Sequence, residues 1–246
     1  MSKRRRLSDE ADDDKNGPIA IIRNVLSSSE LIVLRKEVDT LLKGVDLEKS
    51  ECVVDIFESV TKKSNDMIRT NQEKYLESRE SLLVLKRSEY ATIRSLIFEK
   101  LPNYLRDILK IKEVFLFNEH YVVKPARSEM EFRWHKDGDL QLVMLRALLG
   151  RTKRRNKAYY SFWCALDDVN PKNGTLCFPK DNMIRASAGD VVLFDSETLH
   201  CSPANLSDKP RRVFYAQYST EPIRIPPRGE VLSFAIPCRC CVDDDR

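Results

Sequence analysis

Trp134-His135-Lys136-Asp137-Gly138 is the stretch on which the reading of this chain turns. In an extended chain the side chains of residues i and i+2 share a face. The segment therefore predicts a strand offering the His135 imidazole and the Asp137 carboxylate to one point while Lys136 faces away. Two such donors are half of a metal site. The third candidate is His200, which closes Gly189-Asp190-Val191-Val192-Leu193-Phe194-Asp195-Ser196-Glu197-Thr198-Leu199-His200, a tight turn feeding an apolar strand. The chain has only three histidines, His120, His135 and His200, and two of them fall where one ion would need them. His120 has no partner at a ligand-like spacing and reads as structural. Two imidazoles and one carboxylate, with the other positions open, form the facial set of non-haem Fe(II) sites; zinc accepts the same donors.

Working outward, short runs of β-branched and aromatic residues recur at 114–117, 120–123, 131–135, 140–145, 159–166, 175–178, 190–194 and 213–218. Such runs predict strands. Turn signals at Pro171-Lys172-Asn173-Gly174 and Ala188-Gly189-Asp190 separate some of them. Upstream the texture is helical. Ser27-Ser28-Ser29-Glu30 reads as a capping box, and Leu31, Leu34, Val38 and Leu41 follow at helical spacing, with Gly44 closing the helix. Residues 52–60 are ambiguous between strand and helix, and 72–109 are helical with an interruption near Pro102. The expectation is a mainly β protein with a helical layer: a jelly-roll sandwich backed by N-terminal helices. One domain is expected over 18–220, its helical part at about 27–110 and its β core at about 112–220, between a charged tail at 1–17 and an irregular tail containing Pro and Cys at 221–246.

Composition narrows the function classes. The 246 residues are 42% hydrophobic and 33% charged, enough for one substantial core. A net charge of +4 with acids and bases intermixed gives no global field that calls for nucleic acid or a membrane. No run of about 20 apolar residues is available to span a bilayer, and no apolar secretory core follows Met1. Seven cysteines, an odd number scattered through apolar segments, fit reduced thiols in an intracellular setting, cytoplasmic or nuclear. Lys3-Arg4-Arg5-Arg6 reads either as a nuclear import signal or as part of a solvated tail. Cys238, Cys240 and Cys241 lack the paired C-x-x-C spacing of a zinc module and read as reduced thiols.

Beyond His200 come Cys201-Ser202-Pro203-Ala204-Asn205 and Lys209-Pro210-Arg211-Arg212. A guanidinium is always charged and grips a carboxylate through two parallel hydrogen bonds. Arg211 is thus suited to the far carboxylate of a dicarboxylic cosubstrate, with Ser202 adding a hydroxyl contact. Together, residues 134–137, 163–176, 189–205 and Pro210-Arg211-Arg212 resemble the phytanoyl-CoA dioxygenase family of Fe(II)- and 2-oxoglutarate-dependent oxygenases, over roughly 118–219. The resemblance implies a double-stranded β-helix, cupin-like, with iron on His135, Asp137 and His200. It implies 2-oxoglutarate held by Arg211 beside Ser202 and Trp163, and Asn173-Gly174 as a turn between barrel strands. O2 would be the oxidant, 2-oxoglutarate would be decarboxylated to succinate, and an unactivated C–H of a small-molecule or lipid-like substrate would be hydroxylated. No side chain beyond the metal ligands is needed as a catalyst.

Two departures from the family pattern bear on the pocket rim. Pro179-Lys180-Asp181-Asn182 stands where family members commonly have a Pro-Gly-Ser-His type segment. The short interval between Asp137 and His200 also carries the basic run Arg151-Thr152-Lys153-Arg154-Arg155-Asn156-Lys157, read as a solvated loop in preference to a nucleic-acid or CoA contact. The terminal Val242-Asp243-Asp244-Asp245-Arg246 is not a Ser-Lys-Leu type peroxisomal address. The competing readings are a catalytically silent β-helix binding module, with a nuclear location as one option, and the same chemistry on a protein or nucleic acid. The sequence leaves oligomeric state open.

Overall fold

The computed structural model describes residues 20–47, 49, 51–56, 60, 66–83, 87–139, 159–225 and 229–238. The N-terminal tail at 1–17, the strand expected at 140–145, the basic run Arg151 to Lys157, and Cys240 and Cys241 lie outside these residues.

Two antiparallel sheets face each other. The larger has seven strands: β1 (Ala20–Ile22), β2 (Val53–Asp55), β3 (Phe115–Lys124), β5 (Tyr159–Ala165), β8 (Val191–Asp195), β10 (Arg211–Ser219) and β13 (Ile236–Pro237). Its order is β1-β8-β5-β10-β3-β13, with β2 also on β3. The smaller joins β4 (Phe132–His135), β6 (Cys177–Phe178), β7 (Asn182–Met183) and β9 (His200–Ser202) in the order β4-β9-β6-β7. This is the jelly-roll sandwich expected from the strand pattern. The two runs expected at 114–117 and 120–123 are one strand, because the polar Asn118 and Glu119 between them find hydrogen-bond partners inside the protein. A buried polar group with a partner does not break a strand.

The larger sheet sorts its side chains cleanly. Its outward face, including Phe162, Phe214, Tyr218 and Tyr121, packs into the main core with Leu34, Val38, Ile93, Ile97 and Leu105 of the helices. Its inner face meets the smaller sheet through Trp163, Val192, Phe194, Val213, Phe178 and Leu176. Alternation along the strands does the sorting.

The helical layer follows its sequence signals closely. Helix α1 (Ser28–Leu41) starts at the Ser27 cap, where the Ser27 hydroxyl accepts from the Glu30 N–H and the Glu30 carboxylate accepts from the Ser27 N–H. Then come α2 (Gln72–Leu83) and α3 (Arg87–Ser95), followed by a π-helical turn over Leu96–Lys100 and α4 (Leu101–Leu109). Pro102 starts α4 rather than interrupting a helix, since proline's missing N–H costs nothing in a first turn. The irregularity falls just before it, where the Leu101 N–H reaches back to the Leu96 carbonyl in a five-residue step.

A buried ion cluster ties helices to sheet. Arg79 of α2 donates to both oxygens of Glu37 in α1 at 2.6 and 2.7 Å and to Glu119 of β3 at 2.9 Å, and the Tyr121 hydroxyl donates to Glu37 at 2.6 Å. Burial, with Glu37 next in importance, pushes the Glu119 carboxyl well above its ordinary range.

The chain after Thr220, expected to be irregular, carries the hairpin strands β11 (Arg224–Ile225) and β12 (Glu230–Val231), and β13 then pairs with the start of β3. Ile223 and Leu232 pack on Phe117 and Tyr159, so this segment closes one end of the sandwich. No helix among the described residues is long and apolar enough to cross a membrane.

Candidate metal centre

Pairing of β4 with β9 sets His135 directly opposite His200. Asp137 arrives differently from the expectation of one continuous strand. β4 ends at His135, the chain turns, and residues 137–139 have helical backbone, fixed where the Gly138 N–H donates to the Ser196 carbonyl at 2.8 Å. The turn, not strand alternation, delivers the carboxylate. Asp137 Oδ1 lies 3.6 Å from Nε2 of His135 and 3.6 Å from Nε2 of His200. One ligand atom from each residue fits within 4.8 Å of the others.

The outer atoms of all three groups are already committed. His135 Nδ1 sits 2.6 Å from the Arg133 carbonyl, and His200 Nδ1 sits 2.9 Å from the Thr198 carbonyl. A carbonyl only accepts, so Nδ1 carries the proton and each Nε2 lone pair faces the common point. Asp137 Oδ2 accepts from Ser161 Oγ at 3.0 Å, Tyr215 Oη at 2.9 Å and Gln217 Nε2 at 3.2 Å, which leaves Oδ1 free to face the imidazoles. Burial pushes the Asp137 carboxyl up, but the His135 contact, the His200 charge and the Tyr215 hydroxyl outweigh it and hold the group down at about 2. Contact with Asp137 raises the His135 imidazole, whereas burial lowers that of His200. The three oriented donors suit a divalent transition metal.

Ser161, Tyr215 and Gln217 were not singled out from the sequence. Their signal lies in the alternation Arg211-x-Val213-x-Tyr215-x-Gln217, which puts four side chains of β10 on the inner face, and in the register that sets Ser161 opposite Gln217. Polar residues at alternate positions of an otherwise apolar buried strand need a polar partner.

The three donors open onto a cavity of about 300 Å³ that is also lined by Trp163, Ser202 and Arg211. Arg211 is 1% exposed, and Nη2 donates to the Gly174 carbonyl at 2.8 Å and to Ser202 Oγ at 3.3 Å. Its guanidinium carbon lies 5.5 Å from the Trp163 ring centre. Nε and Nη1 are buried with no partner among the described residues. A buried guanidinium with two unused donors and no carboxylate partner marks a place for an anion. Its neighbour Arg212, on the opposite face of β10, is neutralised by Asp167 at 2.9 Å and Asp39 at 3.1 Å. Burial lowers the Arg211 guanidinium to about 10.

Gly174 shapes this end. Its φ of 74° is left-handed, and a Cβ there would come within 2.5 Å of the Pro203 carbonyl oxygen. The expected Asn-Gly turn therefore has a second duty, since the Gly174 carbonyl accepts from both Ser202 and Arg211. Asn205 anchors the approach to β10 by donating to the carbonyls of Pro125 and Lys209 at 2.8 and 2.9 Å. Lys124, paired across from Arg211, donates to the carbonyls of Ser202 and Pro203. Burial, with Arg211 next, lowers its amine to about 7.

His120, read as structural, lies in the cavity wall stacked on Tyr215 at 4.7 Å, and burial lowers its imidazole to about 4. Trp134 is 49% exposed and outside the site.

The architecture matches solved structures at low identity. It is similar to the non-heme alpha ketoglutarate dependent epimerase SnoN from nogalamycin biosynthesis, with 16% identity, 86% of this chain and 79% of that chain covered, and a TM-score of 0.55. The carbocyclase SnoK from the same biosynthesis matches with 16% identity, coverage of 85% and 82%, and a TM-score of 0.55. HygX from Streptomyces hygroscopicus, solved with nickel and 2-oxoglutarate bound, matches with 14% identity, coverage of 82% and 82%, and a TM-score of 0.51. These likenesses establish the fold. A search of curated protein sequences finds no significant match. The phytanoyl-CoA dioxygenase (PhyH) family model matches residues 14–182 and 179–213, most of the chain. Sequence and fold agree: this chain belongs to the phytanoyl-CoA dioxygenase family.

Proposed function

We propose that the protein is an Fe(II)- and 2-oxoglutarate-dependent dioxygenase that hydroxylates an unactivated C–H of a small molecule. The observation that carries this reading is the pairing, in one cavity, of three converging metal donors with a buried guanidinium whose Nε and Nη1 have no partner among the described residues. Family membership supports the same chemistry. So does the presence of 2-oxoglutarate in the HygX structure.

His135, Asp137 and His200 would hold the iron. Arg211, with Ser202 beside it and Trp163 against its face, would hold the distal carboxylate of 2-oxoglutarate. When bound, iron and 2-oxoglutarate supply an oxidant able to take hydrogen from a C–H bond, at the expense of O2 and with release of succinate and CO2. The chain's own residues orient and shield. Ser161, Tyr215 and Gln217 fix Asp137 through Oδ2, so that Oδ1 would be the oxygen left to hold the iron. The Arg133 and Thr198 carbonyls keep the protons of His135 and His200 on Nδ1. Phe178 and Phe194 pack beside His200, and apolar neighbours of this kind keep bulk water from a metal site.

Hydroxylation is tested by the product. Incubation with Fe(II), 2-oxoglutarate, O2 and a candidate substrate should release succinate in step with a product heavier by one oxygen atom. The His135→Ala variant should bind no iron and release none. Full turnover by His135→Ala, or succinate formed with a product that has gained no oxygen, would contradict the assignment.

A further inference from the structure

The smaller sheet carries chemistry on its reverse face. β9 is only His200-Cys201-Ser202, and its two end residues line the cavity, one as a metal donor and the other as a partner of Arg211. Strand alternation turns Cys201 to the opposite face. β6 repeats the arrangement, with Cys177 between Leu176, in the cavity wall, and Phe178, which packs beside His200. The two strands are antiparallel and set Cys177 directly opposite Cys201. Opposed residues of such a pair project from one face, with Cα atoms about 4.5–5.5 Å apart. A disulfide spans Cα separations of about 4.4–6.8 Å, so the two can be bridged without unpairing the strands.

Both thiols are free, and among the described residues these are the two cysteines that face each other across paired strands. Cys177 is buried, its thiol 3.6 Å from the Phe178 carbonyl, whereas Cys201 is half-buried and meets a dissolved oxidant first. Burial, and then the Cys177 thiol itself, raise the Cys201 thiol to about 11. The Cβ atoms of opposed residues stand about 4.5–5.5 Å apart, and a disulfide holds them at about 3.5–4.5 Å. Closing the bond therefore pulls on Cys201 by roughly 1 Å. Its neighbours on the same short strand are His200 and Ser202, and a shift of that size matters in a metal site.

We propose that Cys177 and Cys201 form a reversible disulfide on the reverse face of the smaller sheet, and that its closure draws β9 toward β6 and weakens the hold of His200 on a metal. The bond stands on the chain alone; its effect on the metal rests on the dioxygenase reading. With a peroxide as oxidant, the Cys201 sulfur bonds one peroxide oxygen, the O–O bond breaks, and the departing oxygen leaves as water with the thiol proton. The Cys177 sulfur then bonds that of Cys201, the new S–O bond breaks, and a second water carries off the Cys177 proton. Two thiols lose two electrons in all, and one peroxide becomes two waters. A dithiol reductant reverses the step.

Peptide mapping and metal titration of the full-length chain test it. The protein is held with hydrogen peroxide for up to hours, since a thiol raised this far reacts slowly at neutral pH. Remaining thiols are blocked, and trypsin then parts the two cysteines at Lys180 and Arg185. Mass spectrometry should find the two peptides joined, lighter than their sum by two hydrogen atoms, and separate again after dithiothreitol. Calorimetric titration with Ni(II) should show binding at least about tenfold weaker in the oxidised protein than in the reduced one, as for other disturbances around a metal ligand. Reduction followed by desalting should restore it. Cys177→Ser and Cys201→Ser should each bind Ni(II) like the reduced wild type and keep that affinity through the peroxide treatment. The proposal is overturned by the absence of the joined peptide, by recovery of Cys201 as a sulfinic acid or bonded to another cysteine, by a joined peptide with unchanged Ni(II) affinity, or by an equal loss in the serine variants. A reduced wild type that binds no Ni(II) would overturn the metal centre and the effect on it together, while the joined peptide would still decide the bond.

Discussion

The position of one oxygen atom decides what Asp137 can do. Three donors saturate Oδ2 and leave Oδ1 to the two imidazoles, so the carboxylate is set for a single metal bond rather than a chelating pair. Removing one of these donors should loosen the ligand without removing it. Gln217→Leu should therefore weaken iron affinity by roughly 10–100-fold, as is usual for outer partners of metal ligands, and competition with a chelator would measure it. Unchanged affinity would mean that Oδ2 is not held as described. A second prediction concerns acid. His120 is faced by Asp55 on β2, by Tyr215 on β10 and by the Asp137 charge, yet burial dominates and lowers it from 6.5 to about 4. Its folded pKa is depressed, so the unfolded chain takes up the proton first. The stability this group supports is complete above pH 6.5 and lost as pH falls toward about 4. Metal-free protein should lose roughly 2–3 kcal/mol from this group over that window, and His120→Phe should flatten the loss in urea melts at stepped pH. Of the residues involved, the three metal-ligand candidates, Arg211, Ser202 and Trp163 were legible in the sequence, because their chemistry is rare in this chain or carried by the family resemblance. Ser161, Gln217 and Asn118 were not, because a buried serine or amide has no signature until the register shows what lies opposite.

At the scale of elements, the turn at Asn173-Gly174 and the strand β10 act together. Gly174 offers its carbonyl to Ser202 and Arg211 and leaves no room for a Cβ beside the Pro203 carbonyl. Gly174→Ala should cost about 1–3 kcal/mol of stability through strain at positive φ. It should also raise the 2-oxoglutarate concentration needed for half-maximal binding, because the Arg211 seat moves; thermal melts and cosubstrate titration read the two effects separately. The capping box at Ser27, the helix from Ser28 and the strands β5, β8 and β10 were all readable from periodicity and end signals. β9, only three residues long and ending the loop that follows β8, was not, because its pairing with β4 and β6 is set by distant chain. The same holds for β13, which lacks a pattern of its own and exists because β3 has a free edge.

For the whole molecule, the helices and the larger sheet are joined by the Glu37, Arg79, Glu119 and Tyr121 cluster, in which one cation serves two carboxylates out of reach of water. Taking away the cation alone strands both acids, so Arg79→Met should destabilise the fold by about 3–5 kcal/mol. Exchanging the whole cluster for apolar residues of similar volume should cost far less. Denaturant unfolding of the two variants would distinguish a structural clamp from a group with no energetic role. The helical layer thus braces one side of the sheet, and the C-terminal strands close one end of the sandwich. The metal donors and Arg211 are left in a shared cavity between the sheets.

That shared cavity is the central claim, and an anaerobic titration of the Fe(II)-loaded protein with 2-oxoglutarate tests it most directly. Chelation of the keto acid by the iron gives a visible charge-transfer band, followed in wild type and in Arg211→Ala. The account predicts a saturable band in the wild type and at least about tenfold more 2-oxoglutarate for half-saturation in the variant, the loss expected from one buried charge-assisted contact. A folded, iron-loaded wild type that gives no band, or a variant that saturates at the same concentration, would contradict it.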